Sequence, residues 1–190
     1  LMGDTDGTVD HCDACIKMPR PWSKGRAALS YRDAGRRVVL GLKHGDRTDL
    51  VPIAGNWLAR AGSDILTEDT LLVPVPLHWS RLLRRRYNQS AELAKVIASL
   101  YSLKVAPDVL VRTSRTKPQD GMGVDARFRN VENVISPATN RQNLLKGRNV
   151  CLVDDVMTSG ATLSASAQAC HAAGASQISV LVLARVDKTP

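Results

Sequence analysis

Residues 150–163 hold the densest set of groups able to do chemistry in this 190-residue chain. An apolar run, Val150, Cys151, Leu152 and Val153, ends in two adjacent carboxylates, Asp154 and Asp155. Val156 and Met157 lead from these acids to Thr158, Ser159, Gly160, Ala161 and Thr162. Neighbouring carboxylates accept hydrogen bonds from hydroxyls or ligate a divalent cation such as Mg²⁺. They do not hold a phosphate, because like charges repel. The loop that follows does suit one. Thr158, Ser159 and Thr162 supply O–H donors, Gly160 lets the backbone approach closely, and a helix starting there offers free N–H groups and a favourable dipole. Phosphate, vicinal hydroxyls and a metal together describe a phosphorylated ribose. The plainer reading is a Thr/Ser cap between strand and helix, with both acids merely solvated. Neither G-x-x-x-x-G-K-S/T nor a G-x-G-x-x-G following a strand occurs, which removes the commoner nucleotide loops.

A site of this kind has to sit at the carboxyl edge of a parallel sheet. The pattern supplies one. Residues 149–155 read as a buried strand, 162–173 as a helix ended by Gly174, and 177–184 as a final strand. Residues 71–77 form an apolar run that stops at Pro74 and Pro76, as a buried strand does when it ends abruptly. Helical spacing follows over 88–100, with Ala91, Ala94, Ile97 and Ala98 on one side. Short strands are expected at 108–112 and 131–135, separated by a long polar stretch, 113–130, of the kind that is usually functional or mobile. Upstream, Val38, Val39 and Leu42 mark a helix that begins near Tyr31 and closes around 41–45. A second helix fits 50–61, with Pro52 in its first turn. These helices are expected ahead of any strand, and residues 1–28 are expected to be irregular. Strand–helix–strand alternation implies an α/β fold with a parallel sheet and right-handed crossovers.

Composition narrows the class. Apolar content is 44% but aromatics are only 4%, so aliphatic residues and Ala must build the core. The 26 Lys+Arg against 18 Asp+Glu give a net charge of +8, which favours anionic partners without choosing among them. No stretch approaches the ~20 apolar residues of a membrane span, and residues 1–10 have neither the basic start nor the apolar centre of a secretion signal. The expected compartment is the cytoplasm. Cys151 and Cys170 lie in apolar runs and read as small buried hydrophobes. Cys12 and Cys15 form a C-x-x-C pair with His11 beside it, half of a structural Zn²⁺ site whose remaining ligands would come from elsewhere, or less readily a redox pair. His11, His44, His78 and His171 are scattered, and no Ser-His-Asp or Cys-His set is visible.

The segment of two acids followed by Thr158-Ser159-Gly160-Ala161-Thr162 resembles the 5-phosphoribosyl-1-pyrophosphate motif of type I phosphoribosyltransferases. Further matches extend the likeness to the ComF/GntX-type competence proteins over most of the chain. Val73-Pro74-Val75-Pro76-Leu77 resembles their first core strand and its turn. Arg86-Tyr87-Asn88-Gln89 resembles an R-G-F/Y-N-Q element, with Arg85-Arg86 standing where the family has Arg-Gly. Arg112, Thr116 and Gln119 resemble R-x-x-x-T-x-x-Q, and Arg127-Phe128-Arg129-Asn130-Val131 resembles the R-x-x-N-V/A that follows. Leu42-Lys43-His44-Gly45 resembles an early L-K-F/Y-x-G with one residue fewer.

The resemblance implies a type I phosphoribosyltransferase fold, a parallel sheet flanked by helices with a small N-terminal helical and zinc-ribbon-like appendage. It divides the chain into a partial zinc-ribbon-like segment (1–28, with Cys12 and Cys15), a helical subdomain (29–68) and a phosphoribosyltransferase core (69–190). Asp154 and Asp155 would act in catalysis and bind the ribose hydroxyls, and Thr158, Ser159, Gly160, Ala161 and Thr162 would wrap the 5-phosphate, with Val156 and Met157 completing the ligand-binding segment. Pro76, Leu77 and His78, in the turn 76–80, would face pyrophosphate, with Arg81, or Arg84, Arg85 and Arg86, neutralising it. These arginines read equally as a solvated basic helix face or a nucleic-acid patch. Gln119, Arg127 and Asn130 would belong to a flexible loop that closes over the ligand. The family also implies Mg²⁺ as cofactor, a link to natural competence and DNA uptake, and two candidate macromolecular partners: single-stranded DNA and a helicase-like competence protein.

Overall fold

A computed structural model describes residues 19–44, 47–114, 123–131 and 133–186. The chain runs β1 (Lys24–Ser30), α1 (Asp33–His44), α2 (Val51–Ala61), β2 (Leu71–Pro74), α3 (Trp79–Arg85), α4 (Gln89–Tyr101), β3 (Lys104–Val105), β4 (Leu110–Arg112), α5 (Val124–Val131), β5 (Ile135–Pro137), β6 (Asn149–Met157), α6 (Ala161–Ala172) and β7 (Gln177–Arg185). Five strands form one sheet in the order β1-β7-β6-β2-β3, and every pairing in it is parallel. β4 and β5 pair antiparallel as a separate ribbon.

The strands at the centre are apolar on both faces because both faces are covered. Side chains alternate along β6: Val150 and Leu152 enter the core beneath α6, while Cys151 and Val153 enter the core on the opposite face. The same alternation sends Ile178, Val180 and Val182 of β7 one way and Leu181 and Leu183 the other. α6 contributes Leu163, Ala167 and Cys170 to the first layer. α1, α2 and α4 build the second layer with Leu42, Leu58, Leu93 and Ile97. α2 and α4 approach closely at Gly55, where an added Cβ would lie 2.5 Å from Val96 Cβ. Cys151 and Cys170 are free and buried, as their apolar surroundings in the sequence led us to expect. No helix among the described residues is long and apolar enough to cross a membrane.

Three elements differ from the sequence reading. Residues 24–30, expected to be irregular, form β1 at the sheet edge against β7, so a strand precedes the first helix. Its signal was weak because an edge strand with partial burial needs no apolar run. The expected boundary between residues 28 and 29 falls inside this strand, and α1 and α2 share one core with β6 and β7. Residue 131, read as the start of a strand, ends helix α5, and the strand begins at Ile135. β6 continues to Met157 rather than stopping at residue 155, because its pairing with β7 extends to Met157 opposite Arg185.

The strand order reverses direction between β2 and β6. From β2 the chain crosses outward to β3 with α4 on one face, and from β6 it crosses the other way to β7 with α6 on the opposite face. The carboxyl ends of β2 and β6 therefore flank the crevice in which open α/β sheets bind their ligands.

Candidate functional site

Asp154 and Asp155 lie near the end of β6, and the turn after β2 starts beside them, since Val75 N–H donates to the Val153 carbonyl at 2.9 Å. Pro76 is buried and Leu77 half-buried in that turn. His78 does not face open space. It is buried and caps α3, its Nδ1 lying 2.8 Å from Ser80 Oγ and accepting from Ser80 N–H at 3.3 Å. Trp79, the first residue of α3, is 65% exposed.

Asp154 accepts two hydrogen bonds on one oxygen. Ser90 Oγ donates to Asp154 Oδ1 at 3.0 Å, and the Asp155 backbone N–H donates to the same oxygen at 2.9 Å. Burial and the neighbouring Asp155 charge push the Asp154 carboxyl up to about 7, against Lys43 and these two donors, which pull it down. Lys43 Nζ lies 3.1 Å from Asp155 Oδ1, with side-chain exposures of 24% and 10%. Arg112 of β4 stands close enough for its charge to interact with Asp154 and with Arg81 of α3. Burial and then the Arg81 charge lower the Arg112 guanidinium to about 10, and Asp154 opposes the shift.

Two hydrogen-bond clusters explain how Lys43 and Ser90 reach the acids. Tyr87 Oη and Gln89 Nε2 both donate to the Leu42 carbonyl, at 2.6 and 3.0 Å. This carbonyl belongs to the last turn of α1, where carbonyls have no partner within the helix. Gln89 is only 1% exposed, so its amide needs that acceptor. The bond fixes Leu42, and Lys43 follows it directly. Asn88 is the N-cap of α4: its side chain accepts from Ser90 N–H at 3.1 Å and donates to the Val75 carbonyl at 3.0 Å. The cap thus joins the end of β2 to the start of α4 and sets Ser90 against Asp154.

The loop of residues 158–160 turns β6 into α6. Gly160 is the N-cap at φ +80°, a left-handed conformation that side chains other than glycine adopt at a cost. Ser159 is buried, and its Oγ accepts from Ala161 N–H at 3.4 Å. A shallow opening at the helix start is bounded by Asp154, Thr158, Gly160, Ala161 and Thr162, with Val156 and Met157 beside them. The acids, the loop and the turn after β2 thus meet at one crevice.

The remaining candidates are placed as follows. Arg84 lies within α3, and Arg86 ends that helix, exposed and with φ +65°. Arg127 and Asn130 are on α5, which packs against α6. Gln119, Cys12 and Cys15 lie outside the described residues. Among the described residues no group of three or more His, Cys, Asp or Glu is clustered to hold a metal. Lys43 and Ser90 are the site neighbours to which the motif reading gave no part, while Arg81, expected at the pyrophosphate turn, lies close enough for its charge to act on Arg112. Lys43 stands inside the Leu42-Lys43-His44-Gly45 element, the one signal that marked it.

The family described as phosphoribosyl transferase domain matches residues 85–189, more than half of the chain. Competence protein F of Haemophilus influenzae is 28% identical over 182 residues, spanning 93% of this chain and 79% of that protein. DNA utilization protein YhgH of Escherichia coli is 27% identical over 180 residues, spanning 92% of this chain and 77% of that protein. The solved structure of the allosteric regulatory enzyme of purine biosynthesis superposes with a TM-score of 0.49 at 16% identity, covering 76% of this chain and 30% of that one. With its parallel sheet, its acid pair and its strand-to-helix loop, the chain belongs to the phosphoribosyl transferase domain family, and it is similar to competence protein F and YhgH over nearly its whole length.

Proposed function

We propose that the chain binds 5-phosphoribosyl-1-pyrophosphate with Mg²⁺ in the crevice between β2 and β6 and transfers the phosphoribosyl group to a nitrogenous acceptor. One observation carries this reading: an acid pair and a glycine-capped hydroxyl loop stand side by side at the point where the strand order reverses. Asp154 and Asp155 accept from the ribose hydroxyls, and the N–H groups of residues 158–162 with the hydroxyls of Thr158 and Thr162 take the 5-phosphate. Arg81 and Arg112 supply positive charge near the acids, where the pyrophosphate leaves.

The donor set fits Mg²⁺ in a particular way. Two carboxylates are too few for a protein cage, and Mg²⁺ characteristically takes one or two carboxylates together with ligand oxygens and water. Asp154 and Asp155 would hold it with the ligand. When bound, Mg²⁺ neutralises charge on the departing pyrophosphate. In the reaction the bond from the anomeric carbon to the pyrophosphate oxygen breaks, pyrophosphate takes the electron pair, and the acceptor nitrogen forms the new bond. No side-chain nucleophile is needed, so the part of the protein is to position, neutralise charge and exclude water.

Calorimetric titration with 5-phosphoribosyl-1-pyrophosphate and Mg²⁺ tests the reading. Saturable binding that the Asp154→Asn/Asp155→Asn double variant loses is the expected result. A folded protein that binds nothing would overturn it.

A second reading, single-stranded DNA binding, is favoured by α3. Trp79 is 65% and Leu83 72% exposed on a helix that also carries Arg81 and Arg85 and is capped by Arg86. An exposed aromatic among cations stacks bases while the cations track phosphates. The names of the relatives, competence and DNA utilization, agree with it. Anisotropy of a labelled oligothymidylate should show affinity that falls steeply with salt and weakens in Trp79→Ala. Salt-independent affinity, or none, would sink this reading and leave the sugar-phosphate reading untouched.

A further inference from the structure

We propose that Lys43 is a built-in counter-cation that keeps free divalent metal off the acid pair, so that Mg²⁺ is admitted only together with the sugar-phosphate ligand. The inference rests on the sugar-phosphate reading above and adds to it the order in which its parts bind. Two neighbouring carboxylates with no cation of their own attract a divalent ion. Here the chain supplies the cation itself. Lys43 Nζ is 3.1 Å from Asp155 Oδ1, and the Asp155 side chain is only 10% exposed.

The second carboxylate offers no easier place. Asp154 Oδ1 already accepts from Ser90 Oγ at 3.0 Å and from the Asp155 N–H at 2.9 Å, and the Lys43 charge acts on Asp154 as well. Other cations of the crevice add to the effect. Arg112 interacts with Asp154, and Arg81 with Arg112. Lys43, Arg81 and Arg112 outnumber the two acids, so the crevice repels a bare dication. A metal that arrives on 5-phosphoribosyl-1-pyrophosphate is attracted instead, because that complex keeps a net negative charge.

A lysine suits a counter-cation that has to yield. The carbonyl of Leu42, the residue before it, accepts from Tyr87 Oη and from Gln89 Nε2, at 2.6 and 3.0 Å, which tethers this end of α1 to α4. The Lys43 side chain is 24% exposed, and its ammonium is a point charge on a flexible four-carbon stem. It can leave Asp155 by side-chain rotation, without moving α1. An arginine would grip the carboxylate through two parallel hydrogen bonds and yield less readily. A ligand that brings a metal and ribose hydroxyls replaces the ammonium at Asp155, and its phosphates offer the ammonium a new anion.

The test uses Mn²⁺ alone as the probe on the full chain, with loss of the paramagnetic resonance signal of free Mn²⁺ as the readout. Lys43→Met should bind Mn²⁺ at least about 10-fold more tightly than wild type, since a neighbouring positive charge is gone. Lys43→Gln, which keeps a polar end, should show the same gain. Lys43→Arg, which keeps the charge, should gain nothing, and Asp155→Asn in the Lys43→Met background should remove the gain. Equal Mn²⁺ affinity in wild type, Lys43→Met and Lys43→Gln overturns the inference, and so does a gain that survives Asp155→Asn or appears equally in Lys43→Arg. Each of these leaves the sugar-phosphate reading standing, provided that wild type binds 5-phosphoribosyl-1-pyrophosphate with Mg²⁺ in calorimetry. If wild type does not bind it, the sugar-phosphate reading fails and the inference with it.

Discussion

Lys43 Nζ sits 3.1 Å from Asp155 Oδ1, and Asp154 beside it is drawn toward neutrality by burial and by the Asp155 charge. One ammonium from the last residues of α1 therefore makes two adjacent acids at a sheet edge tolerable in the ligand-free protein. Its position at the end of a helix is favourable in itself, because cations suit the C-terminal end of the dipole. A metal-bound, multiply charged ligand entering the crevice would compete with Lys43 for Asp155.

Replacing Lys43 by Met leaves two neighbouring carboxylates without their ammonium. Removing one partner of a fully buried pair costs about 3–5 kcal/mol. This pair is partly exposed, so Lys43→Met should cost less, about 1–3 kcal/mol at pH 8. Urea denaturation reads it directly. Asp155→Asn should offset most of the loss in the double variant, and simple additivity of the two changes would show that the contact has no energetic weight.

Asp154 makes the stability of the ligand-free protein depend on pH. An acid whose pKa is raised to about 7 in the folded state, from 3.8, binds more protons folded than unfolded between those values. Stability then falls as pH rises toward and through 7. Denaturant midpoints should increase as the pH is lowered from 8 to 6. Asp154→Asn should flatten that rise and be more stable than wild type at pH 8. Wild type with a midpoint that decreases over this range would contradict the origin assigned to the shift.

How much of this was legible in the sequence depends on whether the signal was local. The strand-to-helix loop was readable because its acids, hydroxyls and glycine are consecutive, and the alternation of strands and helices gave the fold class. β1 was not readable, since Lys24, Gly25 and Arg26 pair at an edge through backbone bonds that ask little of the side chains. The partners of the acids were hidden for a different reason. Ser90 is 64 residues from Asp154, and Lys43, which meets Asp155, follows a Leu42 carbonyl bound by Tyr87 and by Gln89 of α4. Motif matching marked these pieces without saying that they touch.

The Arg85-Arg86 pair, where the family pattern has Arg-Gly, makes a separate prediction. Arg86 takes φ +65° as it ends α3, its N–H donating to the Leu82 carbonyl at 2.7 Å. That is a position where glycine suits the backbone and arginine is strained. Arg86 is exposed, so little contact is lost on truncation. Arg86→Gly should raise stability by about 0.5–1 kcal/mol, seen as a higher denaturation midpoint. Titration of the same variant with Mg²⁺-pyrophosphate separates the two roles: unchanged affinity would remove Arg86 from the pyrophosphate site.

The final prediction concerns the shared acceptor. Tyr87 Oη and Gln89 Nε2 converge on the Leu42 carbonyl, one residue before Lys43. If their part is to fix Lys43, then Tyr87→Phe, which removes one hydroxyl and little volume, should cost about 0.5–1.5 kcal/mol of stability. The same change should cost distinctly less in a Lys43→Met background, because Lys43 no longer needs to be aimed. Asn88→Ala supplies the contrast. It loses the N-cap and the bond to the Val75 carbonyl, so it should cost about 1 kcal/mol whether or not Lys43 is present. Equal costs for Tyr87→Phe in both backgrounds would mean that Tyr87 and Gln89 only close the end of α1, and that Lys43 finds Asp155 without them.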